Sequence, residues 1–313
     1  VGRKGYKVIH MLNAGSPLAK PDQAIEVKAD DELERAVIDL VGDLAAYKPG
    51  AKLVFIEGGG STPFDEKLIV DLFPQFAASV NLITSGNKAR VQQVSALLDR
   101  ARSAGAAVGR AFAITDRDND QGQQDSPNCY RWDRYHIENY LLEPDFVAKV
   151  VIGIGLAKSV DVRADELFSI LKGCAADTLH DLVRHELESE SHASLSAALS
   201  TSTRRGESFD VSALRGAVLQ SYERMGALLD GVLSKESLLA REAAVRARFE
   251  DDLNSGAWIK TFRGRDILKR FLAKHLNGCL RYEILRNMIV SHMVDANFRP
   301  EGIVDVLAKI EGA

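Results

Sequence analysis

Cysteine is scarce in this 313-residue chain: Cys129, Cys174 and Cys279 are all it has, too few and too scattered for a disulfide framework or a zinc ribbon. The expected compartment is therefore reducing, and cytoplasmic. No apolar run reaches the length of about 18 residues that a membrane-spanning helix requires, so no membrane association is expected. No secretory leader is expected. It starts at Val1, and Val1 to Leu12 reads as chain already in progress, so the expectation is a piece of a longer protein. The pattern G-x-x-x-x-G-K-[ST] is absent, which argues against an ATP site in this chain, and G-x-G-x-x-G does not follow any strand-like run, which argues against a dinucleotide site. There is no overall excess of positive charge either. The net charge is −4, so composition alone gives no sign of nucleic-acid binding.

What is present is an ordinary globular composition, 46% hydrophobic and 27% charged, which excludes wholesale disorder and fibrous rods. The length suggests about two domains. Charge is unevenly spread. Ala257 to Arg299 holds nine Lys/Arg against three Asp/Glu, a net of +6, leaving −10 on the rest. That asymmetry reads either as a basic binding rim or as a solvated helical face.

The apolar pattern alternates between two periods. Tyr6 to Leu12 reads as a strand, Pro17 to Asp30 as a polar connection, and Asp31 to Tyr47 as a helix stopped by Lys48-Pro49-Gly50. Leu53–Glu57, Val80–Thr84 and Arg110–Thr115 read as strands. Phe64 to Phe73, ending before Pro74, and Lys88 to Ala104 read as the helices between them. Strand and helix in alternation with short loops imply a parallel sheet with right-handed crossovers. After a polar stretch at Gln121 to Asn128, Tyr135 to Leu142 leads into a helix-rich half. There Ser189 to Ser208 reads as a flexible excursion, Leu214 to Phe249 as long helical periodicity, and Trp258 to Ile310 as three or four helices. The expected division is 1–50 as a connecting strand and helix, 51–150 as the catalytic α/β domain, and 151–313 as a helical domain with a basic C-terminal segment.

Function in open parallel sheets gathers at the carboxyl ends of the strands. Here those ends carry Glu57, then Ser85-Gly86-Asn87-Lys88, then Asp116, Asp118 and Asp120. Converging carboxylates repel one another, and a divalent cation reverses that cost. Oxygen donors favour Mg²⁺ or Mn²⁺, which keep coordination positions for a phosphate-bearing substrate. Each piece also has a plainer reading: a hydrogen-bonded strand-end glutamate, a solvated Asp-rich loop. An EF-hand is excluded because its sixth and twelfth positions would be Gln121 and Pro127. His136 reads more readily as a structural hydrogen-bonding residue than as a general base. Trp132, Tyr135 and Tyr140 read more readily as core than as base-stacking aromatics.

The blocks LVFIEGG…FDEKLIVDLFP, SGNK, AFAITDRDND and RYHIENYLLEP resemble the Toprim domain. They are most similar to the Toprim half of the overcoming-lysogenization-defect (OLD) nucleases, which join an ABC-type ATPase to a C-terminal Toprim nuclease. The resemblance covers about Lys52 to Pro144, with further similarity at FRGRDILKRF and NFRPEGIVDVLAKI; Asp145 to Gly256 is unmatched. It implies an α/β Toprim fold, a Rossmann-like parallel sheet with flanking helices, plus a helical C-terminal region. It implies a metal-dependent DNA nuclease using two Mg²⁺ or Mn²⁺ ions, with DNA, an ABC-type ATPase module and a further copy of the chain as partners, in antiphage defence or DNA repair. Residue by residue, Glu57 matches the glutamate of the first Toprim motif and Asp116 and Asp118 the aspartate pair of the second. Asp120 and Glu138 are further acidic ligand positions. The family's second acid of the first motif falls on Ser61 here, and the nearest acid is Asp65. The family's late basic residue has Lys260, Arg263, Arg265 and Lys269 as candidates, with Lys260 and Lys269 taken as catalytic. Lys88 and Arg270 join these four as expected nucleic-acid contacts. The competing readings are a non-catalytic Toprim interaction or regulatory domain of an ATPase, a Toprim primase or topoisomerase fragment, and a D-x-D glycosyltransferase.

Overall fold

Four short β-branched and aromatic runs pair in parallel to make the central sheet. They are β3 (Lys52–Ile56), β4 (Val80–Thr84), β5 (Ala111–Thr115) and β6 (Cys129–Arg131), in the order β4-β3-β5-β6. The computed structural model describes residues 8–11, 24–27, 48, 51–58, 64–85, 91, 111–118, 128–156, 160, 162–199 and 211–313. β3 is paired on both sides, Phe55 standing opposite Ile83 and Ala113. Leu53 to Ile56 and all of β5 are buried, as expected for a sheet covered on both faces. The three expected strands are therefore present within a residue of their expected ends. β6 is an addition to them: Cys-Tyr-Arg is short and half-exposed, and only pairing with β5 makes it a strand.

Upstream, β1 (Val8–Met11) and β2 (Ala24–Val27) form a separate antiparallel pair, Val8 opposite Val27. β1 falls within the expected first strand. β2 corrects the polar connection expected over 17–30, because Ile25 and Val27 find a partner strand that sequence alone does not show. The expected helices over 31–47 and, Val91 apart, 88–104 lie outside the described residues, as do Lys88, Asp120 and most of the loop at 121–128.

Helix α1 (Phe64–Leu72) follows β3 and stops before Pro74, which opens α2 (Pro74–Ser79), a position where the missing N–H costs nothing. A 3₁₀ turn (Ile137–Leu141) leads into α3 (Pro144–Gly153). Then come α4 (Ala164–Ala198), α5 (Val211–Asp230), α6 (Lys235–Ser255), α7 (Trp258–Thr261), α8 (Gly264–His275), α9 (Tyr282–Asp295) and α10 (Glu301–Gly312). α4 runs through the expected flexible stretch as far as Ala198, since Ala, Leu and Glu there are good helix formers and Glu190 is held by Arg241. The periodicity over 214–249 is two helices. They are separated at Gly231–Ser234, where Ser234 Oγ accepts the Ser237 N–H at 3.3 Å and caps α6. Among the described residues no helix is long and apolar enough to cross a membrane.

The chain divides into two units, 1–164 with 280–313, and 165–279. This departs from the expected helical domain over 151–313: its last two helices belong with the sheet. In the first unit α9 packs on α1 and α3. Arg286 lies 4.1 Å above the Phe64 ring, the Phe146 ring meets that of Phe298 at 54° with centroids 5.0 Å apart, and Lys52 Nζ donates to the carbonyls of Ile310 (2.6 Å) and Glu311 (2.7 Å). The second unit is helical, with Phe168 against Trp258 and Phe249 against Phe262. Its buried Glu186 is paired with Arg248 at 2.5 Å and Arg241 at 3.5 Å.

Candidate metal centre

The sheet register brings two acidic strand ends side by side. Ile56 pairs with Ile114, so Glu57 and Asp116 leave β3 and β5 at the same edge. The Asp116 N–H donates to Glu57 Oε1 at 3.0 Å, which fixes the direction of the glutamate. Gly58 then takes φ +117°, a left-handed turn that favours glycine. A Cβ built on it would stand 3.5 Å from Asp65 Oδ2, so the first turn of α1 folds its carboxylate back onto the end of β3. Asp65 is therefore part of the cluster, although it is eight residues from Glu57.

Asp118 also lies in the left-handed region, at φ 45°, a conformation aspartate tolerates better than most residues. Its N–H donates to Tyr135 O at 3.1 Å. Arg117, between the two aspartates, donates from Nη1 to Asp133 O at 3.2 Å. Both bonds reach the elbow between β6 and the 3₁₀ turn. That elbow is well held. Tyr140 donates to Asp133 Oδ1 at 2.5 Å, Arg134 donates to Asn139 O at 2.8 Å, and the Arg134 guanidinium lies 4.6 Å over the Tyr140 ring. Against it sits Gly302 of α10, where a Cβ would fall 2.1 Å from Asp133 Oδ1 and 2.6 Å from Tyr140 Oη. Only glycine permits that approach.

The elbow presents His136 and Glu138 to the aspartates. His136 Nε2 is 3.4 Å from Asp118 Oδ1, and one ligand atom from each of Asp116, Asp118 and His136 lies within 4.8 Å of the others. Glu138 is 2% exposed. The Asp116 carboxyl is pushed well above the usual carboxylate range, first by burial and then by the charges of Asp65, Glu57, Asp118 and Glu138. Those four carboxylates are therefore close enough to act on it together. A group whose ionised form is this disfavoured, set among oxygen donors and an imidazole, fits a divalent cation, which turns mutual repulsion into shared attraction.

Of the expected ligands, the structure brings together Glu57, Asp65, Asp116, Asp118 and Glu138; Asp120 lies outside the described residues. Lys88, expected to contact nucleic acid, is likewise outside them. The other expected basic residues, Lys260 on α7, Arg263 capping α8, and Arg265, Lys269 and Arg270 on α8, belong to the second unit, whereas the carboxylates belong to the first. Arg263 pairs with Asp266 at 3.4 Å. Trp132, Tyr135 and Tyr140 are buried, which places them in the core rather than on a base-stacking surface. His136 is the residue that sequence reasoning undervalues. Its nearness to Glu138 is visible in the sequence, but its nearness to Asp118 depends on the elbow. No protein-family model matches the chain, and a comparison with curated proteins gave no match.

Proposed function

We propose that this chain is a Toprim-type, divalent-metal-dependent phosphodiester hydrolase that cleaves DNA, the nuclease part of an OLD-like ATPase system. The observation that carries this reading is the bond from the Asp116 N–H to Glu57 Oε1. It joins two parallel strand ends into one acidic patch, to which Asp65, Asp118 and Glu138 add their charges. Glu57, Asp116 and Asp118 are the residues that would hold one ion; Asp65, Glu138 and Asp120 are those that would help hold a second. Bound there, Mg²⁺ or Mn²⁺ supplies charge neutralisation at a phosphate and a water of lowered pKa. The chain's own residues orient the site. The Asp116 N–H holds Glu57, the left-handed turn holds Asp118, and the packed aromatic elbow keeps bulk water from the inner face of the cluster. Lys260, Arg263, Arg265, Lys269 and Arg270 are the proposed contacts to the DNA backbone. An ABC-type ATPase module and a second copy of the chain are the proposed partners, and the cytoplasm the proposed compartment.

The test is a plasmid-cleavage assay in Mg²⁺ or Mn²⁺ comparing wild type with Glu57→Ala and Asp118→Ala. Each variant is expected to lose at least ~10²-fold in rate, the scale of removing one preorganised charge. Cleavage that persists in both variants would remove the site from the chemistry. A wild type that cleaves nothing, with or without an ATPase partner, would favour a non-catalytic interaction domain.

A further inference from the structure

The geometry points to His136 as a direct nitrogen ligand, so that the Asp116–Asp118–His136 position selects a first-row transition ion of the Mn²⁺ class over Mg²⁺. This rests on the metal-dependent reading above and makes it specific. The five carboxylates by themselves describe a hard, all-oxygen site, for which Mg²⁺ is the default occupant. The imidazole changes that. Its Nε2 stands 3.4 Å from Asp118 Oδ1, near the spacing of about 3 Å between neighbouring donors on an octahedral ion with bonds of about 2.1 Å. Imidazole nitrogen is a softer donor than carboxylate oxygen, and Mg²⁺ gains little from it, whereas affinity for nitrogen-containing sites climbs along the first-row series.

The ring is held in place rather than swinging in solvent. Its side chain is 13% exposed. The His136 backbone N–H donates to Asn139 Oδ1 at 3.3 Å, which fixes the main chain that carries the ring, and the Tyr135 ring meets the imidazole edge-on at 4.6 Å. The preceding carbonyl, that of Tyr135, accepts from Asp118 itself. The backbone thus ties the two ligands to each other before any ion arrives, which limits the ordering that binding requires. Asp116 and Asp118 come from the end of β5, and His136 comes from the elbow beyond β6. Donors from two separate segments of backbone converge on one point.

The decisive measurement is pulsed electron paramagnetic resonance on the full chain loaded with Mn²⁺. Wild type is expected to show coupling of the ion to a ¹⁴N nucleus, and protein grown on ¹⁵N-histidine to show the ¹⁵N pattern in its place. His136→Gln, whose amide reaches the level of Nε2, and the shorter His136→Asn are each expected to abolish the coupling. They should also weaken Mn²⁺ by about 10-fold or more while changing Mg²⁺ by less than about 3-fold, measured by calorimetry. Mn²⁺ that binds without nitrogen coupling in labelled wild type overturns the inference and leaves the metal-dependent reading intact; so does coupling that survives in a folded His136 variant. Failure of Mn²⁺ and Mg²⁺ to bind at all overturns the metal-dependent reading instead. The labelled wild type needs no substitution, so a variant that does not fold leaves the inference decidable.

Discussion

Gly302→Ala offers a sharp test of how the candidate site is held. The added methyl group would lie 2.1 Å from Asp133 Oδ1, 2.8 Å from Asp133 Cγ and 2.6 Å from Tyr140 Oη. No real contact is that short, so either α10 moves or the Asp133–Tyr140 pair, now bonded at 2.5 Å, is pushed apart. Overpacking of this kind costs about 1–3 kcal/mol, and losing the shielded hydrogen bond costs about 1–2 kcal/mol more. The better helix propensity of alanine returns up to ~1 kcal/mol. The net expectation is about 2–4 kcal/mol. For a unit of about 200 residues that lowers Tm by roughly 5–15 °C. Differential scanning calorimetry of the full chain measures this directly. A companion variant, Tyr140→Phe, removes one of the two oxygens in the way, so Gly302→Ala should cost less in that background. Because the same elbow carries His136 and Glu138, divalent-ion affinity should fall along with Tm. A Gly302→Ala protein that melts within about 1 °C of wild type, well inside the shift expected for such a cost, would refute the claim that this approach pins the elbow.

Asp116→Asn should stabilise the metal-free protein at neutral pH. Its raised folded-state pKa means the native state keeps a proton that the unfolded chain has already released. Stability of the metal-free form therefore falls as pH rises from the ordinary carboxylate range through the raised value. Melting curves across pH should show that slope in wild type, flattened by Asp116→Asn and reversed by added divalent ion; identical slopes in wild type and variant would contradict it. In the helical unit, Glu186→Ala removes a carboxylate that is 1% exposed between Arg241 and Arg248. The side chains of those arginines are 46% and 31% exposed and can rehydrate, so the loss is about 1–2 kcal/mol, below that of a fully buried pair. A urea midpoint equal to wild type would speak against it. DNA cleavage should fall by at least ~10-fold between about 50 and 200 mM salt, through loss of phosphate contacts; a flat response would argue against a basic contact surface.

The core of the sheet is legible in the sequence because β3 and β5 are buried on both faces. LVFI, VNLIT and AFAIT announce themselves as apolar runs, and their carboxyl ends locate Glu57, Asp116 and Asp118 from pattern alone. Other features are not legible. β2 and β6 are strands only by virtue of a partner, and four residues of AIEV or three of CYR carry too little pattern on their own. Asp65 is expected only through the resemblance, and the glycine turn that brings it to the cluster, like the cross-braced elbow that brings His136, depends on contacts that local pattern does not reveal. Helical periodicity over 214–249 is right in kind. It misses the Gly231–Ser234 break because a serine cap and a glycine are weak marks inside a long amphipathic pattern. The grouping of α9 and α10 with the sheet is also hidden, since nothing local in their sequence distinguishes them from the helices before them.

That grouping sets an order of assembly. The sheet unit is interrupted in sequence by the whole of 165–279, and it is completed by Lys52 reaching Ile310 and Glu311 and by Gly302 seating on the elbow. During synthesis the strands and their acids emerge before 165–279, and the brace behind His136 and Glu138 follows it. A ribosome-bound chain thus carries its charged tips without their support. The candidate metal centre is braced only after the helical unit has had time to form.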